Sequence, residues 1–264
     1  PLVLGSSDAV NSSMGAGAVG SECATCMVGT SGAYRIIAKK VILDPTGRSW
    51  CYAIDPNHWL IGGAINNGGI VLSWFRDALN KIITSGPEKE KQSFGELINR
   101  AASVRPGAEG LICLPFLAGE RSPNWNMNTR GVFFGLTLDH SLDHMIRALL
   151  EGVAFRLRSL AEVMDEIGCK TNEIRVSGGL TRSGLWPQII ASALNLELHI
   201  PSWGETSSLG AAQWTLLGTG VIEDFEKIKE LIPMGQSYSP IAEDAKRYHD
   251  LYLVYKELYS AVGR

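Results

Sequence analysis

Between residues 23 and 61 the chain runs through four short segments, 23–28, 33–38, 49–54 and 58–61, rich in β-branched, aromatic and small apolar residues. They are punctuated by Gly29-Thr30-Ser31-Gly32, Asp44-Pro45-Thr46-Gly47 and Asp55-Pro56-Asn57. Each run is too short for a helix and each break is rich in turn formers, so the stretch predicts an antiparallel meander. Beyond residue 172 the rhythm changes to strand 173–176, turn Ser177-Gly178-Gly179-Leu180, helix 183–194, strand 197–200 and helix 208–218. That alternation implies parallel pairing. Together the two patterns predict an α/β domain on a mixed sheet with flanking helices.

The remaining segments supply the layers around that sheet. An apolar run at 1–4 reads as a buried strand, and a short helix at 9–14 would be capped by Ser7 or Asp8. A helix opening near Gly69 carries Val71, Trp74, Phe75, Ala78, Leu79 and Ile82 at helical spacing. Residues 85–92 are polar and read as a surface loop, followed by a helix at 94–104, a strand at 110–114 and a long structured loop at 114–141. The longest helix starts at Ser141 and stops at Gly168, with Leu142, Met145, Ile146, Leu149, Leu150, Val153 and Leu157 as its buried stripe. A last amphipathic helix over 240–260 puts Tyr248, Leu251, Tyr252 and Tyr255 on one face, which could serve a homodimer interface.

Charge narrows the function classes. A net charge of −3 and a pI near 6.0 give no basic surface for nucleic acid or an anionic membrane. The Lys39-Lys40 pair and the Lys227 and Lys229 positions read as solvated. Five cysteines and no apolar run of about 18 residues point to a reduced, cytoplasmic setting. Cys23 and Cys26 form a CxxC pair, but in a strand that separation sends the two side chains to opposite faces. They and Cys51, Cys113 and Cys169 are expected as small core residues. Gly15, Gly17 and Gly20 satisfy GxGxxG, yet a helix precedes the motif and a strand follows it, the reverse of a dinucleotide fingerprint, so turns are expected. The chain opens at Pro1 inside an apolar run, which suggests a piece of a longer protein.

Candidate chemistry concentrates at strand ends. Asp8 sits at the positive end of a short helix, either as a cap or as an ionised carboxylate with work to do. Gly29, Thr30, Ser31 and Gly32 form either an ordinary hairpin turn or a cradle whose backbone N–H groups face an anion. A carboxylate and a phosphate cradle together suggest phosphoryl transfer to a hydroxyl. The glycine-rich start of the helix near Gly69 is a further anion or nucleotide contact. Gly178 and Gly179 lie between a strand and a helix, where α/β sheets bind ligands. Glu120 and Arg121 read as a loop-stabilising pair, and the histidines suggest no metal site.

Gly131-x-Phe133-x-Gly135-Leu136, followed after seven residues by His144-Met145-x-x-Ala148 and Glu151, nearly reproduces a family signature, with Leu149 the departing position. With GTSG at 29–32, LPFLAGERSP at 114–123, SGGLTRSGLWPQ at 177–188 and SLGAAQ at 208–213, the whole chain resembles the C-terminal domain of the FGGY carbohydrate kinases, in the actin-like ATPase superfamily. The resemblance implies a ribonuclease H-like fold over residues 1–264. It implies Asp8 as the general base, Gly29 to Gly32 as the second phosphate loop, Gly69 and Ser73 near the nucleotide, and Gly178, Gly179 and Ser183 at the adenosine. ATP with Mg²⁺ and a small sugar or sugar acid are the implied ligands. Within the family the stretch at 49–77 is most similar to gluconate kinases, then xylulose kinases. An N-terminal domain that supplies most sugar contacts has no counterpart in this sequence, so the cleft would lie between two domains and this piece alone would be inactive. An actin-like binding or sensory module is the non-enzymatic alternative.

Overall fold

A helix comes first, α1 (Asp8–Gly15), and the structure, a computed structural model, describes residues 2–83 and 92–263. Ser7 caps α1, its Oγ accepting from the Val10 N–H. Residues 2–4, expected as a strand, have no regular structure, and Leu2 and Leu4 are exposed. The sheet gives them no open ladder beside the strand that follows, because both of its edges are taken.

That strand is β1 (Cys23–Val28). It pairs antiparallel with β2 (Gly32–Ala38), with Val28 opposite Gly32 across the predicted turn. Gly17 and Gly20 of the GxGxxG pattern lie in the preceding turns with φ of 69° and 96°. Next come β3 (Trp50–Asp55) and β4 (His58–Ile65), also an antiparallel pair. The meander expectation fails here: β2 pairs with β4, and β3 takes the edge. Burial explains the order. β4 is enclosed over Leu60–Ile65, six of its eight residues, whereas Tyr52 and Ala53 in the middle of β3 are exposed.

Helix α2 (Ile70–Ile83) packs through Val71, Leu72, Phe75 and Leu79, while Trp74 and Ile82, expected on the buried stripe, are 50% and 76% exposed. Most of the expected surface loop at 85–92 falls outside the described residues. Helix α3 (Phe94–Ala102) begins with a capping box between Ser93 and Glu96. Strands β5 (Ile112–Leu114) and β6 (Val132–Phe134) form a separate two-stranded sheet around the long loop. Helix α4 (Leu142–Glu166) starts on a capping box in which Ser141 and His144 bond reciprocally. Its stripe is buried from Ile146 onward, whereas Met145 is half-buried and Leu142 is 42% exposed at the helix entry.

The chain then returns to the main sheet. Strand β7 (Glu173–Ser177) lies parallel to β1, helix α5 (Leu185–Leu194) follows, and β8 (Glu197–Pro201) lies parallel to β7. After helix α6 (Thr206–Gly218), β9 (Met234–Tyr238) closes the far edge antiparallel to β8. The seven strands thus run β3-β4-β2-β1-β7-β8-β9. The sheet is covered on both faces. Tyr34 and Ile36 of β2 join the core under α4, while Ile37 joins Val10 and Met14 of α1 and Phe225 on the other side.

Helix α7 (Ala242–Val262) lies against α4, and Tyr248, Tyr252 and Tyr255 ring Phe155 at centroid distances of 5.9, 5.8 and 5.5 Å. The aromatic face that could have served an interface is therefore spent within the chain. Cys23 and Cys26 are unpaired, and burial pushes both thiols up to about 12, well away from the thiolate form that redox or metal chemistry needs. Cys113 and Cys169 are buried and Cys51 partly so. No helix among the described residues is long and apolar enough to cross a membrane.

Candidate active site

The ends of β1 and β7 and the starts of α2 and α3 surround a cleft of about 430 Å³. Gly29, Thr30, Gly69, Ser73, Gly179 and Ser183 all line it, brought from three stretches of sequence. Gly178 lines an adjoining cleft of about 380 Å³ that shares Gly179 and Arg182. Ser31, Gly32 and Asp8 line neither.

The glycines divide into two groups by what a side chain would meet. Gly178 has a φ of 95°, and a Cβ there would stand 2.7 Å from the Val28 carbonyl oxygen, so the crossing of the β7 end over β1 excludes any other residue. Gly32 and Gly69 are held similarly, by Ile65 at 2.9 Å and by the Gly29 carbonyl at 2.8 Å. Gly29 differs. No heavy atom lies within 4 Å of its absent Cβ and its φ is not positive, so nothing in the protein requires a glycine there. The space it leaves opens into the cleft.

The hydrogen bonds of this turn revise one expectation. The amides at the start of α2 are not free for an anion: Gly68 and Ile70 donate to the Thr30 carbonyl at 3.2 and 3.1 Å, and Gly69 donates to the Gly29 carbonyl at 2.6 Å. What they do is clamp the β1–β2 turn. The Gly29 N–H closes the turn on the Ser31 carbonyl at 2.9 Å, which leaves the Thr30 and Ser31 N–H groups without partners among the described residues. Across the cleft the Ser183 Oγ is enclosed and also lacks a partner. Unpartnered turn amides beside a side-chain-free gap at Gly29, with an unpartnered hydroxyl enclosed in the same lining, fit a polar, anionic ligand such as a nucleotide.

Asp8 stands apart from this cleft, exposed in the first turn of α1. Because Ser7 does the capping, the Asp8 carboxylate is not consumed by the helix end. The position of α1 is set by a close crossing with α6: a Cβ on Gly15 would overlap the Thr206 carbonyl, and one on Gly210 the Asn11 carbonyl. Arg35 escaped the sequence reading. It lies on β2 facing α1, only 8% exposed, and its Nη1 donates to Ser12 Oγ at 3.2 Å. The available signal was one arginine inside the otherwise uncharged strand GAYRIIA.

Several other polar residues are structural. Glu120 pairs with Arg156, and not with Arg121 as expected, and it accepts from Tyr259 Oη at 2.6 Å. Glu151 accepts from Arg147, from Tyr248 Oη at 2.9 Å and from the Gly107 N–H at 2.9 Å. Burial raises the Glu120 and Glu151 carboxyls above the usual carboxylate range. Trp186 and Gln188 are packing and capping residues, donating to the Leu150 and Ser239 carbonyls. His140 and His144 are four apart, yet each ring accepts a local backbone N–H, from Thr137 and Ser141. Among the described residues no three His, Cys, Asp or Glu side chains gather as a metal cage.

Comparison with known proteins gives the family of the fold. Residues 24–217 match the model of the FGGY family of carbohydrate kinases, C-terminal domain. The chain is 40% identical over 263 residues to the gluconokinase of Bacillus subtilis (strain 168), covering 98% of this chain and 51% of that relative. Among solved structures it is similar to the xylulose kinase of Lactobacillus acidophilus in a ligand-bound form, with a TM-score of 0.90 and 32% identity. It is equally similar to the gluconate kinase of that organism, with a TM-score of 0.89 and 32% identity. Each comparison covers 98% of this chain and 51% of the solved one. The chain spans about half the length of the curated relatives it matches.

Proposed function

The chain belongs to the FGGY family of carbohydrate kinases, and from that membership we propose that it is the nucleotide-binding half of a kinase that phosphorylates a small sugar acid, gluconate, with ATP. One observation carries the reading: six residues from three separate stretches line one cleft, with an open Cβ position at Gly29, while the Ser183 hydroxyl of the same lining is enclosed and without a partner. The choice of gluconate rests on the 40% identity to a gluconokinase over nearly the whole chain. Xylulose is the second acceptor to test, because the fold is as close to a xylulose kinase.

In this reading the Thr30 and Ser31 N–H groups face the β- and γ-phosphates, Gly29 lets those oxygens approach the backbone, and Ser73 and Gly69 line the same wall. Gly179 and Ser183 hold the nucleoside, with Gly178 fixing the turn that presents them. Gly32 sets the register of the phosphate turn. Mg²⁺ comes with the nucleotide, held chiefly by phosphates and water. Asp8 accepts the acceptor hydroxyl's proton as phosphorus is attacked, a contribution of roughly 10²–10⁴-fold. The opposite wall, with most sugar contacts, belongs to the protein's N-terminal domain, and closure of the two excludes water from the γ-phosphate. Five unpaired cysteines suit a reducing cytoplasm.

Two measurements on the complete protein test this. ADP release with gluconate, xylulose, ribulose and glycerol is expected to favour gluconate, and activity with none of the four sinks the kinase reading. Asp8→Asn is expected to keep ATP binding while turnover falls at least about 10²-fold. Near-normal turnover in that variant removes Asp8 from the chemistry. Nucleotide binding without turnover in the unaltered protein favours a binding or sensory module instead.

A further inference from the structure

Four arginines are buried among the described residues, and three of them have a carboxylate partner: Arg147 with Glu151, Arg156 with Glu120 and Arg175 with Glu173. Arg35 has none. Its Nη1 reaches only the neutral Ser12 Oγ, and its Nε is enclosed without any partner. A guanidinium withdrawn from water and left without a counterion is unfavourable unless something that binds there supplies the charge.

The surroundings locate that missing anion. Arg35 shares its face of β2 with Ile37, the face that packs on α1. Gly62 lies opposite on β4, and a Cβ there would overlap the Tyr34 carbonyl oxygen and then meet Arg35 Cα and Cγ at 3.0 and 3.2 Å, so the glycine lets the β2 backbone and the arginine's stem pass close. Ser12 is four residues beyond Asp8, on the same side of α1. Asp8 and Ser12 are therefore about 6 Å apart along the helix axis, and a six-carbon acid needs a separation of that order between its phosphorylated hydroxyl and its carboxylate. Arg121 adds a second, exposed guanidinium, on the loop whose Ser122 N–H bonds the Ala64 carbonyl of β4 at 3.1 Å. Burial lowers the Arg35 guanidinium, the Asp8 charge opposes that, and the like charge of Arg121 adds to it. Asp8 and Arg121 are thus both within electrostatic reach of Arg35, yet neither pairs with it directly, and its Nε stays unpartnered.

We propose that Arg35, assisted by Arg121, is the acceptor-specificity residue of this enzyme and binds the carboxylate of the sugar acid. The proposal rests on the kinase reading and goes beyond it by naming the group that separates an acid from a neutral sugar. A phosphate oxygen of the nucleotide or product is the rival anion, and the choice of acceptors tells the two apart.

The test uses the complete enzyme with gluconate and with glucitol, which replaces the carboxylate by CH₂OH. Dissociation constants by calorimetry and kcat/KM are measured for the unaltered protein, Arg35→Met, Arg35→Lys and Arg121→Ala. In Arg35→Met, gluconate binding is expected to weaken roughly 10- to 100-fold more than glucitol binding, with the loss in KM and the KM for ATP little changed. Arg35→Lys retains part of the preference, and the exposed Arg121→Ala loses a smaller part in the same direction. Equal losses on both acceptors, or a gluconate preference untouched in all three variants, overturn the role of Arg35 and leave the kinase reading standing. Turnover of xylulose with none of gluconate overturns the gluconate assignment and the role of Arg35 together, while the kinase reading stands. If Arg35→Met does not fold, the other two variants decide, and an unmoved preference in them overturns the proposal.

Discussion

At the scale of single residues, two glycines of the cleft that look alike in sequence do different work. Gly178 answers to the protein's own backbone, through its positive φ and its approach to the Val28 carbonyl, whereas Gly29 answers to nothing within the protein. Gly178→Ala is therefore expected to destabilise by about 1–3 kcal/mol, the usual scale for a residue forced into such a conformation. Gly29→Ala is expected to stay within roughly 0.5 kcal/mol in stability, as an open surface substitution does, and to lose nucleotide affinity. Denaturant unfolding and ATP titration of the two variants check both halves, and a Gly29→Ala protein that binds ATP normally would remove the phosphate-loop role. The glycine turns were legible in the sequence because glycine and small polar residues mark tight turns between strands, and the family motifs carry them. Arg35 was not, since one charged residue in an apolar run carries no motif and its meaning depends on the absence of a partner across space. The Glu120–Arg121 pairing went wrong for the same reason: adjacency in sequence is a weaker guide than the buried Arg156 beneath the loop.

Among the elements, the strands themselves were readable and their order was not. Period and turn residues mark β1 to β4, but whether β3 or β4 sits beside β2 depends on the 39–49 connection, which carries β3 to the edge. That connection is pinned by Asp44, which accepts from the Arg48 backbone N–H at 2.6 Å and from its Nε at 2.9 Å, while Arg48 Nη1 reaches Glu166 at the end of α4. The Arg48 hydrogen bonds hold the Asp44 carboxyl well below the usual carboxylate range. A carboxyl depressed in the folded state contributes stability above its unfolded value of about 3.9 and loses it as pH falls below that. The denaturation midpoint should therefore drop between about pH 4 and pH 2, and Asp44→Asn should flatten that drop while lowering the midpoint at pH 7. A variant as pH-sensitive as the parent excludes this anchor. The α1–α6 crossing makes a parallel case. Gly210→Ala drives a methyl into the Asn11 carbonyl, so overpacking of about 1–3 kcal/mol is expected. Because α1 carries Asp8, turnover should fall more than ATP binding, and the reverse pattern would disconnect the crossing from the base.

For the molecule as a whole, the fold class followed from two sequence rhythms, and the extent of the functional unit follows from how the sheet is covered. Both of its faces are buried by this chain's own helices, and α7 spends its tyrosines on Phe155 of α4. The described residues thus enclose hydrophobic cores on both sides of the sheet. The candidate site is a different matter. Asp8 is exposed, and it lines neither of the two clefts that gather the nucleotide residues. Phosphoryl transfer requires base, acceptor and γ-phosphate to be aligned away from water, which an open face does not achieve. The isolated chain is accordingly expected to unfold in one cooperative transition and to gain thermal stability from ATP through mass action, yet to release no ADP in response to gluconate. The complete protein should likewise gain thermal stability from ATP and, unlike the isolated chain, release ADP when gluconate is added. Circular dichroism melts with and without nucleotide, alongside a coupled ADP assay on both forms, separate folding from catalysis. Turnover by the isolated chain within about tenfold of the complete protein, a barrier difference of only about 1.4 kcal/mol, would mean that Asp8 and the phosphate turn form a sufficient site and that domain closure contributes little.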